Sequence, residues 1–353
     1  MSDPLLNEPY FSMPVSPGLP IWMNDSIQLT SSQNEKDIAR FGQNNQVVFS
    51  YFTSSSYTPS VDTGIDTIKI DWWVSNPTLN MYPPSPVSHK YNRKMETVFP
   101  GAPVAGKTTT ANPETWHPPQ GGGLIDPFSH YDPNEPNDPE NPAVDHKCII
   151  AVCYPYPSFS PAGDNFYVGS DPHYAQHNIH VLPANTGSSG GAGGANFSFK
   201  ITTTNPDAQN AERTTLRVVR DLNPNPAVRA FLQPRLQQIN NFRSISNRIL
   251  PQGFSLELPD FPNAVVRDRS KVGCLGFLLY ILAFLLGLVG GKLSIPEPTY
   301  EADIQLQPHQ FTAFNFKTDL SSGARGDAYV YHLSHIGADN SVRGGSTLVL
   351  VGQ

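Results

Sequence analysis

A two-residue alternation of apolar and polar side chains recurs along this chain and decides what it can fold into. That period sends successive side chains to opposite faces of a strand, so that one face is buried and the other is wetted. The runs NNQVVFSYFTS, DTIKIDWWVS, NFSFKITTTN, RTTLRVVRDL, GFSLELP, ADIQLQPHQFTAFNFKTDL, DAYVYHLSHI and STLVLVG read in this way, and HKCIIAVCYPY reads as an apolar strand. With 27 Gly and 35 Pro among 353 residues, turns are plentiful, and 38% hydrophobic residues suffice for ordinary cores. Only AVRAFLQPRLQQINNFRSISNRIL carries a helical pattern, and Pro234 interrupts it. An all-β architecture of antiparallel sheets follows.

The punctuation between strands predicts the domain plan. Residues 1–20 are a Pro-rich N-terminal extension, and residues 21–184 form a first β-sandwich whose stretch 76–145, dense in Pro, Asn, Gly and Asp, is too long for a hairpin turn. Residues 185–196, NTGSSGGAGGAN, have the composition of a flexible linker. Residues 197–353 form a second β-sandwich, with an insertion at 224–295 that contains an uncharged apolar segment at 272–291. The expected fold is thus two immunoglobulin-like antiparallel β-sandwiches, the second carrying a helical and apolar insertion.

WMNDSIQL, HKCIIAV and DPHYAQHNIHVL together resemble a bacterial immunoglobulin-like module related to the CARDB group, whose name refers to cell adhesion in bacteria. The later series FSF, LRVV, GFSLEL, GDAYVYHLSH and GGSTLVL resembles a second sandwich that often follows it. The resemblance is one of strand rhythm over about two thirds of the chain rather than of a sharp motif. It implies a scaffolding or binding module that acts beside other activities.

Charge and motifs narrow the functional classes. A net charge of -7, without a Lys/Arg-rich stripe, argues against nucleic acid as a partner. Residues 101–108, GAPVAGKT, spell a phosphate-loop pattern, but Pro113, Pro118 and Pro119 prevent the helix that such a loop needs, so no nucleotide is expected. Arg325-Gly326-Asp327 is the tripeptide that integrins read, and a turn before a strand is its simpler reading. Cys148 and Cys153, five residues apart in a strand, stand roughly 16 Å apart on opposite faces and are expected to be free thiols.

His173, His177 and His180 would converge on a helix as zinc ligands, but Pro172 and the following NIHVLP favour a strand, which turns His180 away from the other two. His332 and His335 alternate faces in the same way. DPFSHYDPNEPNDPEN offers Asp126, Asp132, Glu135, Asp138 and Glu140, hard oxygens suited to calcium without the spacing of a calcium loop. His173, His177, Asp132 and Asp138 are the candidate metal ligands, for zinc or calcium, of a chain otherwise expected to need no cofactor. No nucleophile elbow or His-Glu-x-x-His run is present, so no catalytic residue is assigned.

The segment VGCLGFLLYILAFLLGLVGG, residues 272–291, is long enough to span a hydrocarbon core of about 30 Å. Arg267, Arg269 and Lys271 precede it and Lys292 follows. Leu275, Phe277, Leu278, Ile281, Leu282, Phe284, Leu285 and Leu288 are its expected contacts with a membrane or with another copy of the chain. The opening MSDPLLNEPYFSMPVSPG has no basic region followed by an apolar run, so the expected location is the cytoplasm or, by leaderless export, outside it, with membrane association through the apolar segment. The function expected is a non-enzymatic structural or adhesion-type binding protein that self-associates or docks to a membrane through 272–291. The opposing expectation is a hydrolase or metal-dependent enzyme with its site on the long loops of the first domain.

Overall fold

Strand Asn45–Thr53 shows how the alternation is used: every second side chain is buried, and Val47, Phe49 and Tyr51 point to one side. A computed structural model describes residues 10–40, 43–58, 67–75, 78–79, 95–116, 144–146, 148–156, 168–169, 171–184, 196–205, 207, 209–271 and 297–353. The linker at 185–195, Asp132, Asp138, most of the stretch 76–145 and the whole apolar segment 272–291 lie outside these residues.

The described chain is mostly β. Around Asn45–Thr53, strands Phe11–Ser12, Ile27–Thr30, Thr108–Thr110 and Glu114–Trp116 pair antiparallel to make one sheet. Opposite it lie, in order, Tyr174–His177, Cys148–Pro155, Thr67–Ser75 and Met95–Pro100. Their facing sides form one core, in which Phe49 meets Trp72 at 5.2 Å and Tyr51 meets Phe99 edge-on at 4.9 Å between ring centroids. All eight residues of Cys148–Pro155 are buried, because this sheet is covered on both faces. Cys153 faces the main core and Cys148 the opposite cluster with Trp73 and Ile150, and no disulfide joins the two, as their spacing requires.

In the second sandwich a sheet ordered Ile179–Ala184, Val342–Gly352, Asp327–Gly337, Glu212–Asp221, Thr299–Leu306 and Val265–Arg269 packs over Asn196–Thr204, Phe311–Asp319 and Phe254–Glu257. Phe316 and Phe254 pack on Tyr331 across this core. Two pairings are parallel: Ile179–Ala184 with Val342–Gly352, and Ser244–Ile245 with Asp327–Gly337. The first of these carries the chain across. Tyr174–His177 belongs to the first sandwich and Ile179–Ala184 to the second, with Asn178 between them.

The helix Pro226–Leu236 is shorter than the sequence pattern suggests. Asn225 caps it by accepting from the amides of Ala227 and Val228, and Pro226 supplies a preset φ at its first position. Pro234 has no amide to continue the ladder, and the chain closes into turns after Leu236. Val228, Leu232 and Leu236 lie on one stripe and pack with Trp22 and Met23 on the outer face of the larger sheet, against Val330, Val349 and Val351. That second cover explains why Val342–Gly352 is buried along nearly its whole length. Trp22 anchors this layer, with its indole N–H donating to Thr347 Oγ1 at 2.9 Å. Trp22→Ala should therefore lower stability by about 3–5 kcal/mol, through a cavity and an orphaned hydroxyl. Denaturant unfolding measures this, and a loss below about 1 kcal/mol would contradict the packing described.

Candidate functional site at the junction of the sandwiches

Where the two sandwiches meet, apolar packing gives way to polar groups that are fully buried. Asn178 is completely enclosed and bonded on every side: its amide N–H donates to Trp22 O at 2.9 Å, its carbonyl accepts from Thr347 N at 3.0 Å, and its side-chain nitrogen donates to Thr78 O and to Gly345 O. His180 Nε2 donates to the remaining side-chain oxygen at 2.7 Å. Gln176 repeats the motif two residues earlier, donating to Thr78 O at 3.1 Å and accepting from Gly345 N at 3.2 Å. Thr78 and Leu79 are themselves tied to Thr202 of the second sandwich, and Leu79 enters that core.

Beside this seam lies a buried ionic cluster. Asp37 accepts from Arg235 Nε, from Arg235 Nη2 at 3.3 Å, and from His177 Nε2 at 2.6 Å. His177 Nδ1 faces Asn24 O at 2.9 Å. Both ring nitrogens of His177 thus face oxygen atoms, a main-chain carbonyl and a carboxylate. Arg235 also lies over the Phe231 ring at 3.8 Å. Burial alone would raise the Asp37 carboxyl, but attraction to Arg235 and His177, with hydrogen bonds from both, holds it well below the usual carboxylate range. The three side chains come from the N-terminal strands, the last strand of the first sandwich and the helix of the second, so the cluster clamps three separate parts of the chain.

A second line of polar contacts runs alongside. Trp22 Nε1 donates to Thr347 Oγ1, which lies 2.9 Å from His332 Nδ1, and His332 Nε2 lies 3.2 Å from Asp221 Oδ2. His335, on the opposite face of the same strand, meets Thr203 Oγ1 at 2.8 Å, and burial followed by the charge of Arg343 pushes it down to about 3.

The residues singled out in the sequence fall as follows. His177 is committed to Asp37 and Asn24, and His173 bonds Asp171 Oδ1 through Nδ1 at 2.6 Å. Among the described residues, no group of three or more His, Cys, Asp or Glu is arranged to hold a metal ion. Residues 101–108 lead from strand Met95–Pro100 into strand Thr108–Thr110, where the phosphate-loop pattern calls for a helix. In Arg325-Gly326-Asp327, Gly326 has φ +84° and donates to Gly352 O at 2.8 Å, and a Cβ there would sit 2.4 Å from Asn241 O, so this glycine is fixed by packing at a strand entry. Sequence reasoning missed Asp37, Arg235 and Asn178. Asp37 and Arg235 are 198 positions apart and carry no spacing signal, although an Arg beside the apolar stripe of a helix is a residue to question.

No protein-family model matches the sequence, and no curated protein matches it. Solved structures similar to the chain include the collagen adhesin (CNA) from S. aureus, with 9% identity, 92% of this chain and 91% of that one covered and a TM-score of 0.20. The C-terminal domain of the Streptococcus pyogenes antigen I/II-family protein AspA gives 8% identity, coverages of 92% and 98% and a TM-score of 0.20. A protein from Corynebacterium diphtheriae described as membrane anchored gives 7%, coverages of 93% and 59% and a TM-score of 0.19. At such scores the likeness carries no argument about this chain, whose all-β architecture rests on its own strand pairing.

The cluster makes acid stability the sharpest test of the junction. Because the folded-state pKa of Asp37 is depressed, its contribution is present above the unfolded aspartate value of about 3.9 and is lost as pH falls below it. Asp37→Asn should cost about 3–5 kcal/mol at neutral pH, leaving the largely enclosed Arg235 guanidinium without its carboxylate. Wild type should then lose stability more steeply than Asp37→Asn as the pH drops below about 4. Parallel pH profiles for the two proteins in guanidinium titrations would contradict this account.

Proposed function

We propose that this chain is a non-enzymatic, adhesion-type structural protein in which two clamped sandwiches form a rigid platform, attached to a membrane through the apolar segment 272–291. The observation that carries the reading is the register of the strands flanking that segment. Val265–Arg269 and Thr299–Leu306 are antiparallel neighbours, paired from Val265 with Asp303 to Arg269 with Thr299. The segment therefore leaves and rejoins one edge of one sheet at adjacent points. A single crossing would separate its ends by about 30 Å and place paired residues on opposite sides of a bilayer, so the segment must return to the side it leaves.

Solvation supports the same reading. Leaving the twenty uncharged residues in water would forgo roughly 1.5–3 kcal/mol per large side chain, so something covers them. Arg269 and Lys271 stand where the segment departs and Lys292 follows it, the charge placement expected at an anionic lipid surface. Strand Val265–Arg269 is exposed along its whole length, so the sheet edge is open at the point of attachment.

Flotation with liposomes, combined with mass measurement in solution, tests the proposal. Wild type should float with vesicles, and Leu282→Asp and Leu285→Asp should each abolish flotation while leaving the fold unchanged by circular dichroism. A multimer that ignores vesicles would assign the segment to contact between copies. A monomer that neither floats nor changes on mutation would remove the attachment role altogether.

A further inference from the structure

We propose that the cleft beside the departure point of the apolar segment is a subsite for the phosphate headgroup of an anionic lipid. This deepens the membrane reading above and rests on it. The cleft has a volume of about 490 Å³, the size of a small-molecule site, and its lining includes Ser198, Gln252, Ser255, Lys271, Lys317 and Asp319.

Its chemistry follows from strand register. Ser198 and Ser255 are the cross-strand partners of Lys317 on either side, so one ammonium stands in a row between two hydroxyls. The second ammonium comes from the other sheet. Gly253 adopts φ +68°, and a Cβ there would lie 2.6 Å from Ser270 Oγ and 2.9 Å from Lys271 Cγ. Only glycine lets the chain at 270–271 lie against this turn, which holds the stem of Lys271 at the cleft. Two ammonium groups thus face a lining with one carboxylate, Asp319, which already accepts from Ser321 N at 2.7 Å. Lys317 is held meanwhile by Glu257 at 2.8 Å, a half-exposed pair that an incoming phosphate can replace.

Lysine is a point-charge phosphate binder, and the serine hydroxyls and the Gln252 amide can donate to the remaining oxygens. Phe197 and Phe254 also line the cleft and give the ligand an apolar flank suited to glycerol carbons. A lipid is favoured over free phosphate because the residue after Lys271 opens the apolar segment, so docking that segment sets the cleft at headgroup depth.

The test is flotation of the full chain on vesicles of phosphatidylcholine alone and of phosphatidylcholine containing phosphatidylglycerol. Wild type should prefer the anionic vesicles, and Lys271→Gln and Lys317→Gln should each weaken that preference by about fivefold. Lys200→Gln, on the same sheet outside the cleft, should change it by less than about twofold. Equal losses at all three lysines would show diffuse attraction and overturn the subsite. Equal flotation on both vesicle types would overturn it too, while leaving membrane attachment intact. Failure to float on either would remove both readings. Soluble glycerophosphoglycerol, followed by NMR shifts of the lining amides, separates the two ligand sources: weak binding lost in the double lysine variant supports the subsite, and tight binding without any vesicle preference would reassign the cleft to a free phosphate.

Discussion

The charge on Asp37 is the constraint around which the two halves of this protein are arranged. A carboxylate so deeply buried is tolerable only with a cation and hydrogen-bond partners in direct contact, and Arg235 and His177 supply them from the helix of the second sandwich and the last strand of the first. The Arg235 guanidinium in turn needs Asp37. The helix must therefore lie where it does, and with it Val228, Leu232 and Leu236, which cover the outer face of the larger sheet. Removing Asp37 or Arg235 leaves an uncompensated charge inside the protein, so the three segments are ordered together.

Beside that cluster the described chain joins the two sandwiches through a short, hydrogen-bonded passage. The passage from one sandwich to the other takes a single residue, and Asn178 uses its backbone and side chain to bond Trp22, Thr78, Gly345 and Thr347, which come from both sides of the seam. A flexible tether between two modules would need exposed, unbonded backbone, and this one is buried and satisfied. A rigid body of this kind suits a platform that transmits force or orientation from an anchoring edge. The strands that flank the apolar segment lie at the edge of the same sheet whose opposite edge receives the crossing strand, so the proposed anchor and the junction are linked through one continuous set of backbone hydrogen bonds.

The fold class was legible in the sequence because burial imposes a period of two wherever one face of a sheet is wet. Asn45–Thr53, Thr299–Leu306 and Phe311–Asp319 follow that period closely. It was less legible where sheets are covered twice: Val342–Gly352 is apolar on both faces, and its parallel partner Ile179–Ala184 reads from sequence like the close of the preceding unit. Alternation says which side chains turn inward but not which sheet a strand joins. The junction was not legible at all. Asp37, Asn178 and Arg235 are ordinary polar residues whose meaning depends on contacts made across more than fifty positions of chain, and His177 was noticed for its spacing from His173 rather than for its partner Asp37. The helix was placed by its apolar stripe, but it contains Pro234, which the sequence pattern treats as an interruption, and it ends at Leu236, well short of the full pattern.

A junction clamped in this way should make the two sandwiches a single cooperative unit, which differential scanning calorimetry at neutral pH can decide. If the buried cluster and Asn178 join the halves as described, the protein melts in one transition whose calorimetric and van't Hoff enthalpies agree. Two resolved transitions, or a calorimetric enthalpy about twice the van't Hoff value, would mean that each sandwich unfolds independently and would contradict the claim.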